Sequence, residues 1–277
     1  MAKDRIPKGY ADTPNGQVHF RKLGVGSRAI VLIHWLPLSS RMYAALMPLL
    51  AARGFTVFAV DLLGYGRSDP RPEPWSMAAW ADSVRCAAQF AGIDRAAVLG
   101  GHSGSCVAAE LALEHPDFTT HVVLDGFPFL TSELRATFAA MRAASRPAPS
   151  ADGAHERHAF TTVLNTYRHF LPGYEVSGET LEQIWPAMID YLEADFVSSA
   201  GVSANYELAE RLCKIKQPAL LLGAQSDTLA AAFPKACELL PDASTHFFRG
   251  HHPIHSPVGS GVYAEVVARF LQPLTTR

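Results

Sequence analysis

Short runs of consecutive apolar residues recur along the chain, separated by stretches in which apolar positions return every three or four residues. Ala29–Ile33, Phe55–Val60, Ala96–Leu99, Thr120–Leu124, Pro218–Leu222 and Ser244–Phe248 are such runs. A strand apolar on both faces must be covered on both faces, which is the condition of a parallel sheet between helical layers. Helical spacing fills the intervals: Arg41–Ala52, Ser76–Phe90 and Ser103–Glu114 early in the chain, Leu229–Leu240 and Val258–Leu271 late in it. Gln17–Leu23 follows an Asn15-Gly16 turn and alternates as an edge strand does. Strand alternating with helix predicts an α/β fold built on a doubly wound, mostly parallel sheet.

The rhythm stops between Phe127 and Cys213. There the pattern predicts amphipathic helices over Ser132–Ala144, His158–Phe170, Thr180–Glu193 and Ser203–Leu212, broken by Pro/Gly-rich loops. The chain therefore divides into a first core segment, residues 1–126, a helical insertion, residues 127–213, and a second core segment, residues 214–277.

Composition narrows the function. A chain of 277 residues, 48% hydrophobic and 18% charged, can bury a large core. Its formal net charge of −2 and the lack of any Lys/Arg run speak against nucleic acid as a partner. Cys86, Cys106, Cys213 and Cys237 are scattered without the spacing of a zinc site or a redox pair, as expected of thiols in a reducing compartment. The first ten residues lack the apolar stretch of a signal peptide, and no apolar run reaches the ~20 residues of a membrane span. The expectation is a cytoplasmic protein acting on a small molecule, with no membrane partner; oligomeric state is not legible.

The chemistry concentrates in Ala96–Glu110, which reads as strand, tight turn, helix. Gly101 and Ser105 flank Ser103 closely enough for strand and helix to approach, which would hold the Ser103 hydroxyl clear of the sheet. The run Gly101-His102-Ser103-Gly104-Ser105 resembles the nucleophile elbow, G-x-S-x-G, of the α/β-hydrolase superfamily, with serine for the last glycine. The insertion then resembles the helical cap of that superfamily's capped branch, which roofs the site and selects the substrate.

The resemblance extends to other residues. Gly250-His251-His252-Pro253 lies where the superfamily carries its catalytic base, which makes His251 the partner of Ser103. Two carboxylates compete for the triad acid: Asp227, one residue later than the common G-x-x-D spacing, and Asp125, in a D-x-x-P strand end like that of fluoroacetate dehalogenases and at the site where zearalenone-type lactonases place glutamate. Motif fit favours Asp125 slightly. His34-Trp35-Leu36-Pro37 matches the oxyanion loop H-G-x-P, so the N–H groups of Leu36 and Gly104 are the implied oxyanion donors. Trp35 replaces glycine, so either the loop bends differently or the indole fills part of the pocket. Asp61–Asp69 resembles the D-x-x-G-x-G-x-S loop, read here as structural support.

Trp35, His102, Phe127, Tyr167, Trp185, Tyr191 and His252 are the candidate pocket residues. No metal site is expected of His251, His252 and His255, and no cofactor. A serine at the elbow disfavours the haloalkane and epoxide branches, which need a carboxylate there. The implied activity is hydrolysis of a carboxylic ester or lactone of a small apolar substrate through an acyl-enzyme on Ser103. Carbon–carbon bond hydrolysis, cofactor-free lyase or dioxygenase chemistry on the same scaffold, and a ligand receptor that retains the pocket, stay open.

Overall fold

The computed structural model describes residues 6–71, 74–133, 135–136, 147–170, 178–194, 201–250 and 259–272. In chain order its elements are β1 (Lys8–Thr13), β2 (Gly16–Leu23), β3 (Arg28–Ile33), α1 (Leu46–Ala51), β4 (Phe55–Val60), α2 (Met77–Phe90), β5 (Ala96–Gly101), α3 (Ser103–Glu114) and β6 (Thr119–Asp125). There follow α4 (Ala154–Phe170), α5 (Gly178–Glu193), α6 (Leu208–Leu212), β7 (Ala219–Ala224), α7 (Phe233–Leu239), β8 (Ser244–Phe248) and α8 (Gly259–Leu271).

The strands form one sheet in the order β1-β2-β4-β3-β5-β6-β7-β8. β1 and β2 are antiparallel to each other and β2 to β4, while every pair from β4 through β8 is parallel. The apolar runs are explained by cover on both faces. Along β3, Val31 and Ile33 enter the core beneath α2 and α3, while Ile30 and Leu32 enter the opposite core with α1 and α8. β6 divides in the same way, Val122 and Leu124 to the first core and Val123 to the second.

Proline sets two helix boundaries. The helix expected over Arg41–Ala52 is a 3₁₀ turn, Ser40–Tyr43, followed by α1 from Leu46. Pro48 has no N–H and is accommodated at least cost in a first turn. Pro234 does the same to the segment expected to be helical from Leu229, so that α7 starts at Phe233 with a proline in its first turn. In the insertion, α4 and α5 bury Ala159, Val163, Leu164, Ile184, Ala187, Met188 and Tyr191 against each other. The expected helix Ser132–Ala144 falls mostly outside the described residues, and Ser203–Leu212 is interrupted at 205–207, helical at 201–204 and again in α6. Among the described residues no helix is long and apolar enough to cross a membrane.

The chain reverses its direction of strand addition between β3 and β5: β4 lies on one side of β3 and β5 on the other. Ligands of open α/β sheets bind outside the carboxyl ends of the strands at such a switch point. The loop after β3, His34–Ser39, and the turn after β5, at His102, both leave the sheet there.

Candidate active site at the β5–α3 turn

A single residue, His102, joins the end of β5 to the start of α3. Its backbone has φ 47° and ψ −113°, and among the described residues it is the only non-glycine with positive φ. A conformation of this kind costs about 1–3 kcal/mol and persists only where its surroundings enforce it. They do so here. The His102 N–H donates to the Asp125 carbonyl at 2.7 Å, and the Ser105 N–H donates to the His102 carbonyl at 2.9 Å.

The glycines fix the centre of the turn. A Cβ on Gly100 would lie 2.0 Å from the Gly104 carbonyl oxygen, and one on Gly104 would lie 2.4 Å from the Ile33 and 2.7 Å from the His34 carbonyl oxygens. At Gly101 the nearest atom to such a Cβ is 3.6 Å away, an ordinary contact. The obligatory small pair is therefore Gly100 and Gly104, two residues either side of His102. The close approaches thus fall at Gly100 and Gly104 rather than at Gly101 and Ser105, the flanks expected from sequence. Ser103 is the first residue of α3, and its hydroxyl oxygen accepts from the Leu36 N–H at 2.8 Å. Ser105 is buried, its hydroxyl donating to the Gly100 carbonyl at 2.8 Å, so it is a packing residue.

The His102 imidazole is held on three sides. Its Nε2 lies 2.8 Å from Asp227 Oδ2. Its ring meets the Trp35 indole edge to face, centroids 4.3 Å apart. Below it is Gly126, φ 78°, where a Cβ would come within 2.5 Å of His102 Cδ2. The His102 side chain is 16% exposed and that of Asp227 only 1%. Asp227 follows β7 and is itself oriented, Oδ1 accepting from the Leu229 N–H at 2.7 Å. A buried carboxylate facing Nε2 favours the tautomer that carries its proton there.

Asp125, the slightly favoured acid, ends β6 and accepts from the Tyr263 hydroxyl at 2.8 Å, deep in the core between the sheet and α8. Burial, followed by the Asp125 charge, holds the Tyr263 and Tyr43 hydroxyls well above the ordinary tyrosine range. Among the described residues the carboxylate in contact with an imidazole at this turn is Asp227. His251 and His252 lie outside the described residues.

The loop after β3 is braced from below. His34 is fully buried; its Nε2 accepts from the Leu62 N–H and its Nδ1 faces the Trp35 carbonyl, both at 3.0 Å. Burial lowers its pKa below the ordinary histidine value, in keeping with a neutral ring that accepts on one nitrogen. Trp35 needs no positive φ, so of the two outcomes expected for a bulky residue here, the indole takes up space beside His102. The Leu36–Pro37 peptide is cis. Asp61 is the structural anchor expected of its loop, accepting from the N–H groups of Ser40 and Arg67 and pairing with His19.

The remaining pocket candidates separate. Phe127 is fully buried in the core beneath α3. Tyr167 and Tyr191 pack in the insertion's own cluster, and Trp185 is 63% exposed on its surface. Tyr167 and Tyr191 are taken up by the shared apolar face of the two helices, and Trp185 is not part of it. Sequence reasoning missed Gly126 and Ser39. The hydroxyl of Ser39 donates to Asp190 of α5 at 2.5 Å and ties the insertion to the loop after β3. Among the described residues no group of three or more His, Cys, Asp or Glu is placed to hold a metal.

Comparison with known proteins agrees with this architecture. A haloalkane dehalogenase of Mycobacterium marinum is 32% identical over 151 residues, 50% of this chain and 48% of that protein. An uncharacterized protein of Mycobacterium tuberculosis is 34% identical over 128 residues, 46% of this chain and 36% of its own length. The chain thus spans less than half the length of these relatives. The enol-lactonase of Burkholderia xenovorans superposes with a TM-score of 0.76 at 18% identity, covering 95% of this chain and 99% of that one, a likeness of fold alone. The family model for the alpha/beta hydrolase fold matches residues 28–256, and the chain belongs to that family.

Proposed function

We propose that this protein hydrolyses a carboxylic ester or lactone of a small apolar substrate, and that His102, oriented by Asp227, is the general base that activates the attacking water. The observation that carries this reading is the placement of an imidazole, bonded to a buried carboxylate, at the strained apex between β5 and α3. Strain at a partly accessible, over-determined residue points to function rather than to packing.

The chemistry follows from the residue type. Nδ1 of His102 takes a proton from water as the water oxygen bonds to the carbonyl carbon, and the carbonyl oxygen becomes an oxyanion. Asp227 stabilises the imidazolium that forms. The intermediate expels the alkoxide, which receives the proton back from Nδ1, so ester and water give acid and alcohol. The positive end of α3, which begins at Ser103, favours the negative charge in this position. No acyl-enzyme is needed. The alternative, attack by Ser103, is weakened by the bond its oxygen accepts from the Leu36 N–H, which draws electron density from the atom that would attack.

Rapid-mixing kinetics with aryl acetates and aryl-substituted lactones test the proposal. Product should form linearly from the first turnover, because a burst is the fingerprint of an accumulating acyl-enzyme. A burst equal to the enzyme concentration, with the acyl group on Ser103, would overturn it.

A further inference from the structure

The Leu36 N–H, implied by family resemblance as a donor to the substrate, already donates to Ser103 Oγ at 2.8 Å. A hydroxyl that accepts a hydrogen bond still carries its own O–H proton, made more acidic by the bond accepted. Ser103 is only half-buried and adjoins His102 in the chain, at the first position of α3, and among the described residues no acceptor takes its proton.

We propose that the Ser103 hydroxyl, polarised by the Leu36 N–H, is the catalytic hydrogen-bond donor to the oxyanion that forms when water attacks. The inference rests on the hydrolytic reading and gives Ser103 a role opposite to that of a nucleophile. Ser103 then makes no covalent bond: its proton is shared with the carbonyl oxygen as charge develops and stays on Ser103 when the intermediate collapses. Leu36 acts through Ser103, and Trp35 packs against the base.

Ser103→Ala and Ser103→Thr, each checked for an unchanged melting temperature, provide the test. With an ester that the wild type hydrolyses, Ser103→Ala should lower kcat about 10²–10³-fold, as loss of one oxyanion donor does, with KM changed less than threefold. Ser103→Thr, which restores a hydroxyl, should recover kcat to within about tenfold of wild type. An unchanged kcat in Ser103→Ala overturns the donor role and leaves His102 as the base. The tetrahedral anion phenyl methylphosphonate separates the two claims. If the wild type hydrolyses no ester tried, the hydrolytic reading fails, yet at least tenfold weaker phosphonate binding in Ser103→Ala still supports the donor. Equal binding by both proteins, or none by the wild type, overturns it. So does stoichiometric labelling of Ser103 by a fluorophosphonate, which would mark it as an activated nucleophile.

Discussion

Among the described residues two histidine–aspartate pairs share one contact length and differ in their surroundings. His19 Nδ1 meets Asp61 Oδ2 at 2.8 Å, and His102 Nε2 meets Asp227 Oδ2 at 2.8 Å. His19 lies in regular strand, paired with Tyr10, and both of its pair's side chains are 3% exposed or less. Both Asp61 oxygens are also taken by backbone donors, Ser40 and Arg67, so the pair closes a loop and has no surface to offer. The His102 pair has the same contact but a strained backbone, a gap in its cover and a switch-point position. Contact distance does not separate the two pairs; strain and access do, and the proposed base is the strained, accessible one.

The largest effect expected is on the turn itself. Gly104→Ala would drive a methyl group into two backbone carbonyls and should cost about 3 kcal/mol or more, read as a fall in the urea midpoint or as loss of soluble protein. Gly101→Ala is its control. With the nearest atom 3.6 Å from the added Cβ, it should stay within about 1 kcal/mol of wild type. If the two costs were reversed, the turn would be centred on Ser103 and the contrast between the pairs would dissolve.

Asp61→Asn comes next. It breaks a buried, hydrogen-bonded charge and should destabilise by about 3 kcal/mol without acting on chemistry. Asp227→Asn should do the reverse, lowering kcat about 10²-fold or more while shifting the urea midpoint less than Asp61→Asn does.

Acid titration sharpens the contrast further. Burial raises the Asp61 pKa, but the His19 hydrogen bond, the charges of His34 and His19 and the Ser40 bond outweigh it, and the group is held below the ordinary carboxylate range. Its stabilisation is therefore complete above about pH 4 and is lost as pH falls below that. Asp190 has the opposite sign: burial raises its pKa, only partly offset by Ser39 and Arg41, so it weakens the fold as pH rises through its folded-state value. Urea midpoints between pH 6 and 3 should fall less steeply in Asp61→Asn than in wild type, and more steeply in Asp190→Asn.

How much of this was legible in sequence can be judged residue by residue. The runs Ala29–Ile33 and Phe55–Val60 are strands because nothing but double cover explains them. β1 was not legible, because as an antiparallel edge strand it buries only Ala11 and its charged and glycine positions carry no periodic signal. The turn after β5 was legible in two frames. Gly100-Gly101-His102-Ser103-Gly104 satisfies G-x-x-x-G without any departure, whereas the frame on Ser103 needs a serine in place of the last glycine. Expecting a hydroxyl nucleophile selects the second frame; the backbone, which needs Gly100 and Gly104 bare, selects the first. The role of Gly126 depends on where the His102 ring goes, and no local pattern encodes that.

The central claim is that the imidazole at the apex of the turn is the base. It is tested most directly by kcat for His102→Gln, a change that keeps a hydrogen-bond donor for Asp227 and removes the titrating nitrogen. The expected result is a loss of about 10³-fold with an essentially unchanged urea midpoint. Wild-type kcat in a folded His102→Gln protein would contradict it.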